Sequence, residues 1–143
     1  MALNAPTPIW HTLAILIGRL IFAGIFLMAV AFKYMSMDGT ASYIAAAGFP
    51  IPLVLAWLAA IFETVLVLCF LTGAFFTEAS LLAAVYVLFL AFAFHGPSHW
   101  KPDDQTEFGF FVDHFTFFAG LLFAATRGPG NVLALRWSVI NKQ

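Results

Sequence analysis

Four apolar stretches dominate the sequence, and each is long enough to cross the hydrocarbon core of a lipid bilayer. They cover about residues 12–34, 52–71, 78–95 and 108–126. A transmembrane helix needs about 20 predominantly apolar residues and tolerates about 17 to 25. The pattern predicts an all-α protein, a transmembrane four-helix bundle, in which residues 1–143 form a single membrane domain.

The composition supports a membrane protein and excludes other classes. Hydrophobic residues make up 63% of the chain and charged residues 9%, whereas a soluble domain carries about 25% charged residues. The formal net charge of −1 gives no basic field for nucleic acid, so we expect no nucleic-acid partner. The single cysteine, Cys69, excludes an internal disulfide and a thiolate-rich metal cluster.

The connections between the spans differ in length. Only "TGAFFT" separates the second and third spans, which predicts antiparallel neighbours. The longer first and third connections share one end of the bundle, here called the loop face, and both chain termini share the opposite end, the terminal face. After the fourth span, "NVLALRWSVINKQ" mixes apolar residues with a Trp and two cations, which predicts an interfacial C-terminal tail.

The distribution of cations predicts the orientation. Arg127, Arg136 and Lys142 lie near span ends on the terminal side, and Lys33 and Lys101 lie on the other side. Because cytoplasmic loops carry the excess of Lys and Arg, we expect both termini in the cytoplasm, in a bacterial cytoplasmic membrane.

Arg19 and Glu63 are ionisable residues inside predicted spans. Both lie roughly 10–12 Å from the terminal face, at 1.5 Å per helical residue. Leaving one partner of a buried ion pair alone costs about 3–5 kcal/mol, so the equal depths predict an Arg19–Glu63 pair. The pair could simply lock two helices together, or it could bind a proton, an anion or a quinone-like headgroup. Alternatively, Arg19 reaches the surface and Glu63 is protonated.

A second polar group is predicted near the loop face. His95 ends the third span, and Asp113 and His114 lie near the start of the fourth, where consecutive helical residues point about 100° apart. With Lys33 at the end of the first span, these residues predict a polar layer. Their roles could be hydrogen bonding at the interface, proton relay or contact with a ligand.

His95 and His99 raise a metal hypothesis. Their i, i+4 spacing would bring both imidazoles onto one helix face, but Gly96 and Pro97 favour a helix end at His95. The two histidines could still meet in a tight turn, joined by Asp113 or His114 from the fourth span, and such a set of nitrogen and oxygen donors suits zinc, iron or copper. Of the two candidate ligands, a quinone and a metal ion, the metal ion is the less favoured.

Three segments follow one another with a recognisable spacing: "GRLIFAGIFLMAVAFKYM", "AAAGFPIPLVLAWLAAIFETVLVLCFLTG" and "FAGLLFAATRGPG", with a third helix ending in His95 between the last two. In this order they resemble the DoxX family of small four-helix membrane proteins, over roughly residues 15–131. The positions that carry the resemblance are Arg19, Lys33, Gly48, Pro50, Glu63, Gly73 and the closing "GPG". Family members often have Lys-Asn where this chain has Asp113-His114, so the local charge is reversed.

The resemblance implies several functions. DoxX proteins have been linked to membrane oxidoreductase assemblies, including a thiosulfate:quinone oxidoreductase and a redox-stress complex, and related proteins resemble chaperones or cargo receptors. We therefore expect a subunit or accessory of a quinone-linked redox system, with quinone as the favoured ligand and with a membrane protein or a second copy as partner. The alternatives are a non-enzymatic scaffold and, third, a small proton or ion transporter. The sequence does not specify a reaction.

Overall fold

The computed structural model describes residues 8–140, which form five α-helices joined by short connections. The helices are α1 (Ile9–Met35), α2 (Met37–Ala46), α3 (Pro52–Thr72), α4 (Phe76–His95) and α5 (Thr106–Arg127), with a 3₁₀ turn at Pro97–His99. α1, α3, α4 and α5 are long and apolar enough to cross a membrane. The predicted all-α class with four spans is confirmed, and the largest difference in bounds is at α1, which begins at Ile9 instead of residue 12.

The short helix α2 lies in the first connection, for which the sequence predicted only its greater length. The backbone breaks at Ser36, where φ is −147°, and resumes a helix at Met37. α2 buries Ala41 and Ile44 against Ala56 of α3. A helix of 10 residues is marginal on its own, so this packing stabilises it. α2 therefore forms a structured part of the loop face.

The bundle is held by close contacts between small side chains and by a cluster of rings. Four alanines, Ala56, Ala60, Ala83 and Ala91, are fully buried, and small residues let membrane helices approach closely. α1 packs on α3, and α4 packs on α5. Between them lies a core whose larger buried members are Phe26, Leu66, Phe70, Phe76, Val87 and Leu121.

The C-terminal tail, residues 128–140, returns along the ends of the helices at the terminal face. The Leu135 N–H donates to the Thr72 carbonyl at 2.9 Å, and the Phe75 N–H donates to the Trp137 carbonyl at 2.6 Å. Glu78 accepts hydrogen bonds from the Ser138 hydroxyl and from the Val139 and Ile140 N–H groups. The tail is thus fixed to the α3–α4 connection, and its position at a lipid interface stays a prediction.

Gly73 is required where the tail crosses the end of α3. Its φ is 75°, and an added Cβ would lie 2.9 Å from the Ala134 Cβ and 3.0 Å from the Ala134 Cα. Gly73→Ala is therefore expected to lower the free energy of unfolding by about 1–2 kcal/mol, measured by denaturant titration in micelles. Gly109→Ala in α5 is the matched control, because nothing lies within 4 Å of its added Cβ. Equal stability of the two variants would contradict the close contact.

Candidate functional site

A cavity of about 810 Å³ opens between the loop-face ends of α1, α2, α3 and α4; we call it the loop-face cavity. Most of its wall is apolar, and several rings line it. The Tyr43 and Phe94 rings stack at 5.1 Å between centroids, and Phe49 meets Phe89 edge to face at 5.9 Å. The polar lining residues are Lys33, Ser36, Thr40, Tyr43, Tyr86 and His95. Its volume lies in the range of small-molecule sites, about 300–1,000 Å³.

Behind two polar residues of the cavity wall lies a buried carboxylate, Glu63, whose two oxygens both accept hydrogen bonds. Lys33 Nζ donates to Glu63 Oε2 at 2.8 Å, and the Tyr86 hydroxyl donates to Glu63 Oε1 at 2.7 Å. Glu63 is 1% exposed. An ammonium has three N–H donors, so Lys33 keeps two beyond its bond to Glu63. Lys33 and Tyr86 line the cavity directly, and Glu63 holds both in place.

His95 lies at the mouth of the same cavity, where α4 ends. His95 Nδ1 is 2.7 Å from Glu107 Oε2 of α5. The His95 and His114 ring centroids are 4.9 Å apart. His114 Nδ1 lies 2.7 Å from the Phe110 carbonyl oxygen, and a carbonyl only accepts, so this nitrogen carries the proton. These contacts give a chain of titratable groups from the α5 surface to the cavity.

Tyr43 of α2 adds a second hydroxyl to the cavity wall. Burial raises the pKa of the Tyr43 phenol, and the negative charge of Glu107 raises this pKa further. The hydroxyl therefore stays protonated at neutral pH and can donate a hydrogen bond to an acceptor in the cavity. α2, which the sequence did not predict, thus supplies a polar group to the site.

The predicted Arg19–Glu63 ion pair is not formed. The prediction was wrong because it compared only distances from the helix ends. Helical side chains tilt toward the N-terminus of their own helix, and α1 and α3 run in opposite directions. The Arg19 side chain therefore extends toward the terminal face, and the Glu63 side chain extends toward the loop face. For the same reason the Lys33 and Glu63 side chains point toward each other.

Arg19 instead holds the C-terminal tail. Its Nη1 donates to the Pro129 carbonyl at 2.9 Å, and its Nη2 donates to the Leu133 carbonyl at 2.8 Å. The residue is 2% exposed. Its remaining buried group, Nε, has no hydrogen-bond partner among the described residues. A cation that the sequence assigned to an ion pair thus satisfies backbone carbonyls of an extended segment.

The three histidines of the metal hypothesis do not come together. His95 and His114 are in contact, but His99 is exposed on the 3₁₀ turn, where its Nδ1 lies 3.2 Å from the Ser98 hydroxyl. α4 ends at His95, as the Gly-Pro dipeptide predicts. Among residues 8–140, no group of three or more His, Cys, Asp or Glu side chains is placed to hold a metal ion. Asp113 is exposed on α5 and is not among the residues that line the loop-face cavity.

Three site residues were missed by the sequence reasoning: Tyr43, Tyr86 and Glu107. A signal for Tyr86 was present, because α3 and α4 form a hairpin. Residues at equal distances from the connection lie at equal depth, and Glu63 and Tyr86 flank residues 73–75 almost symmetrically. The same argument applies to His95 and Glu107 across the connection from α4 to α5. No comparable signal exists for Tyr43.

Comparison with known families gives one finding that decides the family. The DoxX family model matches residues 14–96. The chain belongs to the DoxX family. Together with the four apolar helices, this makes it an integral membrane protein. Searches of curated proteins and of solved structures found no match.

The family match covers most of α1 and all of α2, α3 and α4, and therefore includes Lys33, Glu63, Tyr86 and His95. It ends before α5, whereas the resemblance in the sequence extended to about residue 131. Glu107 and His114 belong to this unmatched helix. In this DoxX protein, the Lys33–Glu63–Tyr86 cluster and His95 thus lie within the family region, whereas Glu107 and His114, which contact His95 at the cavity mouth, come from α5.

Proposed function

We propose that this DoxX protein binds a quinone in the loop-face cavity and serves a membrane redox system as a quinone-binding subunit. The observation that carries the proposal is a ring-lined cavity of about 810 Å³ with the Lys33 and Tyr86 polar groups on its wall. A quinone is a flat apolar ring with two carbonyl acceptors. The stacked rings suit its faces, and the N–H and O–H donors suit its oxygens.

The position of the cavity also suits a quinone tail. Phe32, Leu58 and Phe89 line the cavity and are 63%, 58% and 50% exposed. These residues lie on membrane-spanning helices, so their exposed surfaces face lipid. An isoprenoid chain can leave the cavity past them without crossing a polar layer. A soluble substrate would instead need a water-lined entrance.

The residues of this chain would bind the quinone and exchange its protons. A bound quinone supplies two-electron, two-proton redox chemistry, and the electrons come from a partner redox protein. Lys33 keeps two N–H donors for an acceptor oxygen, while Glu63 fixes the position of its ammonium. His95, in contact with Glu107 at the mouth, would carry protons between the cavity and water. Glu63 would hold Lys33 and Tyr86 in position, because both of its oxygens accept hydrogen bonds from them.

Filling the cavity is expected to abolish quinone binding. Ala59 lines the cavity, and Ala59→Phe places a ring in the space that a quinone would occupy. We expect at least a tenfold loss of affinity for a short-chain benzoquinone, measured by quenching of tryptophan fluorescence in micelles. The matched control is Ala119→Phe on the exposed side of α5, which should bind like the wild type.

The outcomes of this experiment distinguish a quinone-binding subunit from a non-enzymatic scaffold. Equal binding by wild type and Ala59→Phe would show that quinone does not use this cavity. If the wild type binds no quinone and extracts of the native protein contain none, the quinone proposal is wrong. The non-enzymatic scaffold would then be the favoured function.

A further inference from the structure

A second cavity lies at the terminal face, between the tail and the ends of α1, α4 and α5; we call it the tail cavity. Its volume is about 1140 Å³. From the sequence, the Arg19–Glu63 pair and an interfacial tail were expected toward this end of the bundle, and the proposed quinone site lies at the opposite end. The tail cavity is therefore a separate feature of the molecule.

The charged side chains around the tail cavity all have one sign. Arg127 and Arg136 line it, His11 is a third lining residue able to carry positive charge, and no acidic residue is among its described lining residues. Neither arginine forms an ion pair with the described part of the chain. Asn131 adds an amide at the rim. Arg127 and Arg136 thus line one cavity without an ion-pair partner in the described part of the chain, and guanidinium groups bind phosphate through charge-assisted, often bidentate hydrogen bonds.

The cavity wall is held in place by buried polar contacts. Arg19 fixes the Pro129 and Leu133 carbonyls, and Glu78 fixes the Ser138–Ile140 end of the tail. The segment that carries Arg136 is anchored at both ends. Glu78, an acidic residue of this face, accepts these three hydrogen bonds through Oε1 and forms no ion pair with either arginine in the described part of the chain. The positive groups are thus presented by a fixed scaffold.

We propose that the tail cavity binds a phosphate group through Arg127 and Arg136. Apolar residues Ile15, Phe76 and Trp137 line the rest of the cavity and leave room for an organic group attached to the phosphate. The phosphate could be carried by an anionic phospholipid of the adjacent leaflet or by a small soluble molecule. The chemistry that the arginines recognise is the same in both cases.

The test uses the full chain in nanodiscs, with two probes. One series adds phosphatidylglycerol to phosphatidylcholine nanodiscs, and the other adds inorganic phosphate to pure phosphatidylcholine nanodiscs. Trp137 lines the cavity, so its fluorescence reports occupancy, and Trp137→Phe identifies its signal. We expect a saturable change for the wild type with at least one probe. Arg127→Gln/Arg136→Gln should weaken this response about tenfold or more.

Lys101→Gln is the matched control, because it removes one positive charge from the loop face, where Lys101 is exposed. The Lys101→Gln variant should respond to the probes like the wild type, whereas the single variant Arg127→Gln should show a weaker fluorescence response. A response to phosphatidylglycerol alone identifies a lipid site, and a response to inorganic phosphate as well identifies a site for soluble phosphates. The proposal is overturned if the wild type responds to neither probe, if the double variant responds like the wild type, or if Lys101→Gln weakens the response as much as Arg127→Gln.

Discussion

Lys33→Met is expected to destabilise the protein by about 3–5 kcal/mol, because it leaves the Glu63 carboxylate buried without its counter-ion. Glu63 is 1% exposed, and the Lys33 Nζ–Glu63 Oε2 distance is 2.8 Å. The Tyr86 hydroxyl alone cannot neutralise a charge. Methionine keeps most of the length of the lysine side chain, so the loss is electrostatic and not a cavity effect. The free energy of unfolding in mixed micelles measures it.

The double variant Lys33→Met/Glu63→Gln separates the charge from the packing. Glutamine keeps an oxygen that accepts the Tyr86 hydrogen bond but carries no charge, so we expect it to recover more than half of the loss. Lys101→Met is the surface control, since Lys101 is exposed, and should change stability by less than about 0.5 kcal/mol. If the double variant were as unstable as Lys33→Met, the Lys33 side chain would stabilise the fold through its packing and not through its charge.

The four spans could be predicted from the sequence because hydropathy and length alone specify a transmembrane helix. In a bilayer every backbone polar group must be satisfied within the segment, which leaves a long apolar stretch few alternatives to a helix. α2 could not be predicted in this way. Its sequence, "MDGTASYIAA", contains a glycine and no long apolar run, and its order depends on packing against α3.

Four residues of the candidate site could be predicted from the sequence, but their pairing could not. Glu63, Lys33, His95 and His114 were identified because ionisable groups in or beside a membrane span are costly and need partners. The pairing depends on the direction in which each side chain tilts, and depth along the helices does not contain this information. The partners of Arg19 could not be predicted from the sequence. They are backbone carbonyls, which every residue has, so no residue type marks them.

Arg19→Met is expected to release the C-terminal tail. The guanidinium donates to the Pro129 and Leu133 carbonyls at 2.9 and 2.8 Å, and methionine of similar length offers neither donor. A hydrogen bond from a charged group contributes about 1.5–3 kcal/mol to stability. Methionine carries no charge, so the variant avoids the cost of burying a cation, and this offsets part of the loss. We expect a net loss of about 2–4 kcal/mol in the free energy of unfolding. The bond after Arg136 should also become accessible to trypsin, with at least a tenfold faster cleavage than in the wild type.

Arg19→Lys distinguishes positive charge from geometry. A lysine ammonium keeps the charge, but its single nitrogen cannot match the two separate donors with which the planar guanidinium reaches both carbonyls. We therefore expect a loss of stability between those of the wild type and Arg19→Met, with cleavage after Arg136 still accelerated. If Arg19→Met were as stable as the wild type and its tail equally protected, the Leu135–Thr72 and Phe75–Trp137 backbone bonds would suffice to hold the tail. Arg19 would then need a different explanation for its burial.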